Sequence, residues 1–300
     1  MAFKYLRQKD IDRVRWDAAV RADPSRLPYG LSWWLDAATA TRWDGLMADD
    51  YRLVLPLPLG RSIGRFTQVQ RPAFTQQCGP FGTLHAGDLK GLLRALPFPV
   101  LSLKMPLSER TLDLAIPHNF TRRERTNFVL PISAEYDAIQ MGFHKALRRK
   151  IRRNGPARLS PAEPAAIIEL YASSAGLKAG LKPAHYRRIE AIMHAARDNE
   201  AALCCRLDDD NGYLAAGFFP FYRGRLINTF AASTPAGYRH EGMARMIVEL
   251  IKKHRGPGRL LDFEGSEISG VAEFFRSFGP TTQNYTTIEM RGPGKLIGRL

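Results

Sequence analysis

In the second half of the chain the apolar positions switch repeatedly between a helical and an extended period. Met243, Met246, Ile247, Leu250 and Ile251 recur at i, i+3, i+4, i+7 and i+8, which predicts an amphipathic helix with one apolar face. Further helices are expected over 163–171, 183–197 and 271–278, and strands over 201–207, 212–222, 226–233, 259–263 and 285–290. The turn formers Asp208-Asp209-Asp210-Asn211-Gly212 and Arg223-Gly224 join the first three strands as hairpins. The order is α-α-β-β-β-α-β-α-β. Hairpin neighbours run antiparallel, and the crossover helix sets the strands on either side of it parallel.

The first half follows a looser version of this pattern. Asp10 is placed to cap a helix carrying Ile11, Val14, Ala18 and Ala19, and Ser32–Ala40 carries Trp33, Trp34, Leu35 and Ala38 on a second. Tyr51–Leu59 reads as a strand whose prolines argue for a sheet edge or a bulge. Short strands are expected over 100–103, 112–116 and 125–131. Between them, Gln70–Gly82 is dense in loop formers but also in aromatics and amides, so it is expected to be packed rather than solvated. A helix from Ala134 ends in a basic run, and Asn154-Gly155-Pro156 then breaks the chain. This places a boundary there, dividing the chain into 1–155 and 156–300. Two domains also suit a length of 300 residues.

Composition narrows the class. The chain is 45% hydrophobic and 24% charged, as in globular proteins, and no apolar run approaches the roughly 20 residues that span a bilayer. The N-terminal stretch has no apolar signal core. Three cysteines, two of them adjacent at Cys204-Cys205, make neither a disulfide framework nor a metal spacing. These features predict a reduced, cytoplasmic protein. The seven histidines form no ligand pair at helical spacing (His185 and His194 are nine apart), so no metal is expected. A net charge of +15 points to a polyanionic partner or a phosphate-bearing cofactor.

The densest chemistry lies at Tyr238-Arg239-His240-Glu241-Gly242-Met243-Ala244. A helix begins here after a strand, and a helix start offers unpaired N–H groups and partial positive charge to an anion. Gly242 and Ala244 leave room for a close approach. The alternative is a helix start packed tightly on a sheet. The spacing Arg-x-x-Gly-x-Ala resembles the acyl-CoA pyrophosphate loop of the GNAT acyltransferases. Phe274-Phe275-Arg276-Ser277-Phe278-Gly279 stands where that family often ends its last helix in Phe-Tyr-x-x-x-Gly-Phe, and the element order matches from about Pro161 to Met290. The first half is similar to a second, degenerate copy that lacks the loop. A tandem pair with a basic junction helix resembles the FemAB-like branch, which includes transferases that use aminoacyl-tRNA and cell-wall precursors.

The resemblance implies an α/β fold of two tandem GNAT-like domains. It also implies transfer of an acyl group to a small-molecule or peptide amine from acetyl-CoA or another acyl-CoA, held by Ala231, Ala232, Ser233, Arg239, His240, Gly242, Met243 and Ala244. The alternatives are an aminoacyl-tRNA donor with an anionic lipid-linked or cell-wall acceptor, and a binding protein that kept the fold without the chemistry. Two departures favour the last: Phe275 replaces a proton-donating Tyr, and Glu241 sets a carboxylate where phosphates would bind. Acyl transfer to an amine needs a base and oxyanion donors. Asp262 and Glu264 lie two apart near a strand end, which points both to one face, and Glu264 is the candidate base, with Tyr285 and Asn228 as secondary candidates for proton transfer and carbonyl binding. The run 144–153 is the strongest charge feature. Leu147 and Ile151 mark its buried stripe, and Lys145, Arg148, Arg149, Arg152 and Arg153 form an anion-binding face suited to tRNA phosphates, a lipid-linked pyrophosphate or an anionic membrane.

Overall fold

The computed structural model describes residues 2–291 apart from 65, 98, 99, 211 and 266. The chain forms two compact units, one of Met1–Arg125 with Asn284–Leu300 and one of Thr126–Gln283. In chain order the first holds β1 (Phe3–Leu6), α1 (Arg13–Ala22), α2 (Ser32–Thr39), β2 (Trp43–Ala48), β3 (Leu53–Ile63), β4 (Phe66–Gln70), β5 (Phe81–Gly82), α3 (Asp88–Arg94), β6 (Val100–Pro106) and β7 (Phe120–Arg125). The second holds β8 (Phe128–Pro131), α4 (Tyr136–Met141), α5 (Lys145–Arg153), β9 (Arg158–Pro161), α6 (Pro164–Ala172), α7 (Ala175–Ala179) and α8 (Pro183–Asp198). It continues with β10 (Ala202–Asp209), β11 (Gly212–Tyr222), β12 (Arg225–Ile227), β13 (Phe230–Ser233), α9 (Pro235–Arg239), α10 (Gly242–His254), β14 (Leu260–Asp262), α11 (Ser269–Arg276) and β15 (Thr281–Thr282). The last strand, β16 (Tyr285–Arg291), returns to the first unit.

Among the described residues the first unit's sheet runs β1-β2-β3-β4-β6-β16-β7, with β5 also on β3, and only β4 and β6 pair in parallel. The second runs β15-β8-β14-β12-β11-β10-β9, with β13 also on β11, and only β12 and β14 pair in parallel. Each unit is therefore an antiparallel sheet with one parallel step across a helical crossover. This differs from the boundary expected at 155. Thr126 to Gly155 belong to the second unit, because β8 pairs antiparallel with β14 and closes that side of its sheet. In exchange, the chain's last strand lies between β6 and β7 in the first unit. Local pattern carries no information about which sheet a strand joins.

Other elements also depart from expectation. The cap of α1 is Asp12, whose carboxylate accepts from the N–H groups of Val14 and Arg15. The helix therefore starts later, turning Val14 outward and Trp16 inward. β3 is internal, not an edge. The Leu59 N–H bonds Arg42, so by the period of two Leu57 and Leu55 also donate toward β2, and the nitrogens of Pro56 and Pro58 face the other side. There β5 covers only Leu53–Val54 and β4 begins at Leu59, so no donor is missed. Residues 112–116 form no strand, because the Arg122 guanidinium takes the carbonyls of Leu112 and Leu114. The helix expected from Ala134 is two helices, interrupted where Phe143 turns inward against Phe278. Gln70–Gly82 is packed as expected, with Thr75, Gln76, Gln77, Cys78 and Phe81 buried.

One buried ion pair joins three strands of the second unit. Arg225 at the start of β12 places Nε and Nη2 at 2.8 and 2.6 Å from Asp262 Oδ2 at the end of β14, and both side chains are at most 2% exposed. Asn127, just before β8, donates its amide to Asp262 Oδ1 at 3.0 Å. Removing the carboxylate leaves a guanidinium buried without its counter-ion. Asp262→Ala should therefore lower the unfolding free energy by about 3–5 kcal/mol, read as a shift in the denaturant midpoint. The Arg225→Met/Asp262→Leu double variant should recover part of that loss.

Candidate functional site

The geometry of interest begins where the parallel strands part. Pairing of β12 with β14 ends at Ile227 opposite Asp262, followed by one more bond from the Asn228 N–H to the Asp262 carbonyl. The expected strand 226–233 is broken at Asn228-Thr229, and among the described residues β13 pairs only with β11, while the Phe263 N–H turns away to Phe128. The Thr234 N–H bonds the Leu214 carbonyl, so alternation directs the Ala232 and Phe230 N–H groups toward β11 and those of Ala231 and Ser233 toward the open edge. Of the three residues singled out from the sequence, two therefore present to the gap backbone donors with no acceptor among the described residues. At its head the Thr229 hydroxyl is buried without a hydrogen-bond partner among the described residues.

Asp262 also organises the candidate base. The Glu264 N–H donates to Asp262 Oδ1 at 2.8 Å, and Glu264 takes a left-handed φ of 60°. The strand alternation is thereby broken, so Asp262 and Glu264 do not share a face. Asp262 is buried in its ion pair, while Glu264 is half-buried past the strand end. Asn228 and Glu264 are thus brought together around one residue. Tyr285 stands on β16 in the first unit, in register with Arg125. Ser266 lies outside the described residues.

The helix start after β13 is built differently from a simple strand-turn-helix. Thr234 caps the short helix α9 by accepting from the Gly237 N–H, His240 ends it, and Glu241 adopts a φ of 54° before α10 begins. No side chain caps the first turn of α10, so its N–H groups keep their hydrogen-bonding capacity. Gly242 and Ala244 are buried and Met243 half-buried, whereas Arg239 is exposed and without an ion-pair partner among the described residues. The small size of Gly242 serves packing. A Cβ there would lie 3.0 Å from the Gly237 Cα and 3.1 Å from the Leu214 Cβ, and one on Gly237 only 1.9 Å from the Leu214 carbonyl oxygen.

Glu241 is not left facing a ligand. Its Oε1 lies 2.9 Å from Lys150 Nζ, on α5. This pairing joins two features that the sequence treats separately, the loop and the basic helix. Leu147 is buried and Ile151 half-buried on α5, as the stripe predicts. Lys145, Arg148, Arg149, Arg152 and Arg153 have no carboxylate partner among the described residues. A second bond network fixes the same corner. Arg245, buried in the first turns of α10, pairs with Asp209 at 2.5 Å and donates to the carbonyls of His240 and Pro156. Arg245 was not legible as a tether from the sequence, although a cation next to the apolar stripe and an acid-rich turn without a counter-ion were its signals. Asn211 of that turn lies outside the described residues.

Aromatic rings line the start of β13. Tyr171 of α6 stacks on Phe230 with centroids 3.8 Å apart, and Tyr238 is 66% exposed on α9. Burial pushes the Tyr171 phenol above its usual pKa, with the neighbouring Tyr186 and Tyr238 adding to the shift. Phe275 is core, packed on Phe263 at 5.0 Å and on Phe274, so the place where the resemblance puts a proton donor is filled by hydrocarbon.

No protein-family model and no curated protein matches the chain. Solved structures do. The fold is similar to that of FemX, with a TM-score of 0.71 at 13% identity over 99% of both chains. It is also similar to the C-terminal domain of a putative lysylphosphatidylglycerol synthetase from Agrobacterium fabrum (TM-score 0.57, 11% identity, 96% of this chain and 93% of that one). A conserved protein of unknown function from Bacteroides thetaiotaomicron gives a TM-score of 0.57 at 15% identity over 93% and 97%. The chain has a tandem GNAT-like fold of the FemAB-like kind. No helix among the described residues is long and apolar enough to cross a membrane.

The packing at the helix start is directly testable. Gly237→Ala should cost about 1–3 kcal/mol through overpacking against β11. Thermal unfolding of Gly237→Ala and of Gly242→Val should show both melting below the parent protein, with or without any ligand.

Proposed function

We propose that the chain is an N-acyltransferase that takes its acyl group from an aminoacyl-tRNA and delivers it to a small-molecule or peptide amine. The observation that carries this reading is the position of α5. Its Lys150 is tied to Glu241 at the start of α10, while five further cations of the same helix stand without counter-ions beside that corner. A phosphate track bound there leads toward the gap between β13 and β14. Nucleic-acid phosphates gain most of their affinity from such cations by counter-ion release. The FemX fold similarity agrees with this donor class.

In this reading the amine attacks the ester carbonyl of the donor, with the carbonyl oxygen facing the Ala231 and Ser233 N–H groups. Those donors receive the charge that develops on the tetrahedral intermediate. Glu264 takes the proton lost by the amine and returns it to the leaving ribose oxygen, so one carboxyl serves as base and then acid. Asn228 and Thr229 contribute polar groups at the head of the gap. The proton donor missing at Phe275 is then not required.

An acyl-CoA donor is the second reading. The uncapped first turn of α10 beside Arg239 favours it, since a pyrophosphate suits such a helix start. The two donors separate by salt. Replacing Arg148, Arg149, Arg152 and Arg153 by Gln should weaken aminoacyl-tRNA binding in a filter assay. It should also flatten the plot of log affinity against log salt by about one unit for each phosphate that is no longer neutralised. Saturable acetyl-CoA binding that ignores these substitutions, with no tRNA binding, would establish the second donor instead. Glu264→Gln should leave donor affinity unchanged and lower the single-turnover transfer rate by about 10²-fold or more. An unchanged rate would remove Glu264 from the mechanism.

A further inference from the structure

The first unit holds a hollow of about 360 Å³ far along the chain from the loop and the basic helix, lined by Lys90, Arg94, Ile116, Pro117, His118 and Asn119. Its two sides have different origins. α3 buries Leu89, Leu92 and Leu93 in the core, and this turns Lys90 and Arg94, one turn apart, to the same flank. The opposite side is the segment between Thr111 and β7. That segment is pinned rather than loose: Arg122 holds the carbonyls of Leu112 and Leu114, and the Phe120 N–H closes a turn onto Pro117. His118 and Asn119 are presented from this turn over a floor made by half-buried Ile116 and buried Pro117.

The electrostatics are one-sided. The side chains of Lys90, Arg94, His118 and Asn119 have no hydrogen-bond or ion-pair partner among the described residues. Asp88, on the same helix, is not available to them, because Arg52 holds both of its oxygens. Like charges one helical turn apart repel each other, so the pair destabilises α3 until an anion lies between them. Two fixed positive charges match a phosphoryl dianion rather than a monocarboxylate. Arginine, lysine and asparagine together offer more donors than two carboxylate oxygens readily accept. The apolar floor suits a small organic substituent and not a bare ion.

We propose that this hollow is a binding site for a small phosphate monoester, separate from the acyl-transfer chemistry. Titration calorimetry on the whole chain at about 150 mM salt, where long-range surface attraction is largely screened, tests it with phenyl phosphate, inorganic phosphate and benzoate. Phenyl phosphate should bind saturably at one site and more tightly than either of the others. The Lys90→Met/Arg94→Met variant should weaken it about tenfold or more, while Arg61→Met, a cation elsewhere in the same unit, should not. Asn119→Leu, on the turn rather than the helix, should also weaken it, and the fluorescence of the buried tryptophans of this unit reports whether each variant is folded. Absence of saturable binding, benzoate binding as tight as phenyl phosphate, inorganic phosphate equal to both, or full binding by the folded double variant would each overturn the assignment.

Discussion

The second unit depends on satisfying one buried carboxylate. Asp262 closes the only parallel strand pair described in its sheet, and at this depth a bare negative charge would cost several kcal/mol. Arg225 from the partner strand, Asn127 from the flanking strand's approach and the Glu264 N–H all converge on its two oxygens. Each of these bonds also places something else. Arg225 anchors β12 at the hairpin with β11, Asn127 starts β8 against β14, and the Glu264 bond draws the chain into its left-handed turn. The candidate base is therefore set by a structural residue two positions earlier, and the gap between β13 and β14 opens at the last bond that Asp262 makes.

The loop before α10 follows a similar logic of neutralisation. An acid in an anion-binding loop is a liability only if it faces the anion. Glu241, held in the left-handed region, is paired with Lys150, so the carboxylate becomes a tether for the basic helix. Arg245 and Asp209 make a second, buried tether a few residues away. The first ties α5 to the helix start, so that the cations of α5 lie beside the first turn of α10. Such placement is what turns a basic composition into a directional field.

Much of the fold was legible in the sequence because its signals are local. The stripe from Met243 to Ile251, the Leu147–Ile151 stripe and the hairpin turns each depend on neighbours three or four residues away or on a few turn residues, and all appear in the structure. Part of the candidate site was legible for the same reason. The cations of α5 follow from helix period, whereas Ala231, Ala232 and Ser233 entered only through the resemblance. Asp262 and Glu264 were given one face because that inference assumed that the strand continues past the point where the chain turns.

What the sequence alone determined is therefore the order and character of the elements, the tandem GNAT-like pattern, and which helix carries the charge. What only the tertiary structure decided is which strand completes which sheet, and which charges meet. β8 joins the second unit and β16 the first, against the chain order expected for two consecutive domains. The physical reason is that a strand's backbone donors and acceptors are alike whatever its sequence, so an open sheet edge accepts any strand that the rest of the fold delivers to it. Ion pairs such as Lys150–Glu241 and Arg245–Asp209 span 91 and 36 positions, and nothing in either partner's neighbourhood names the other.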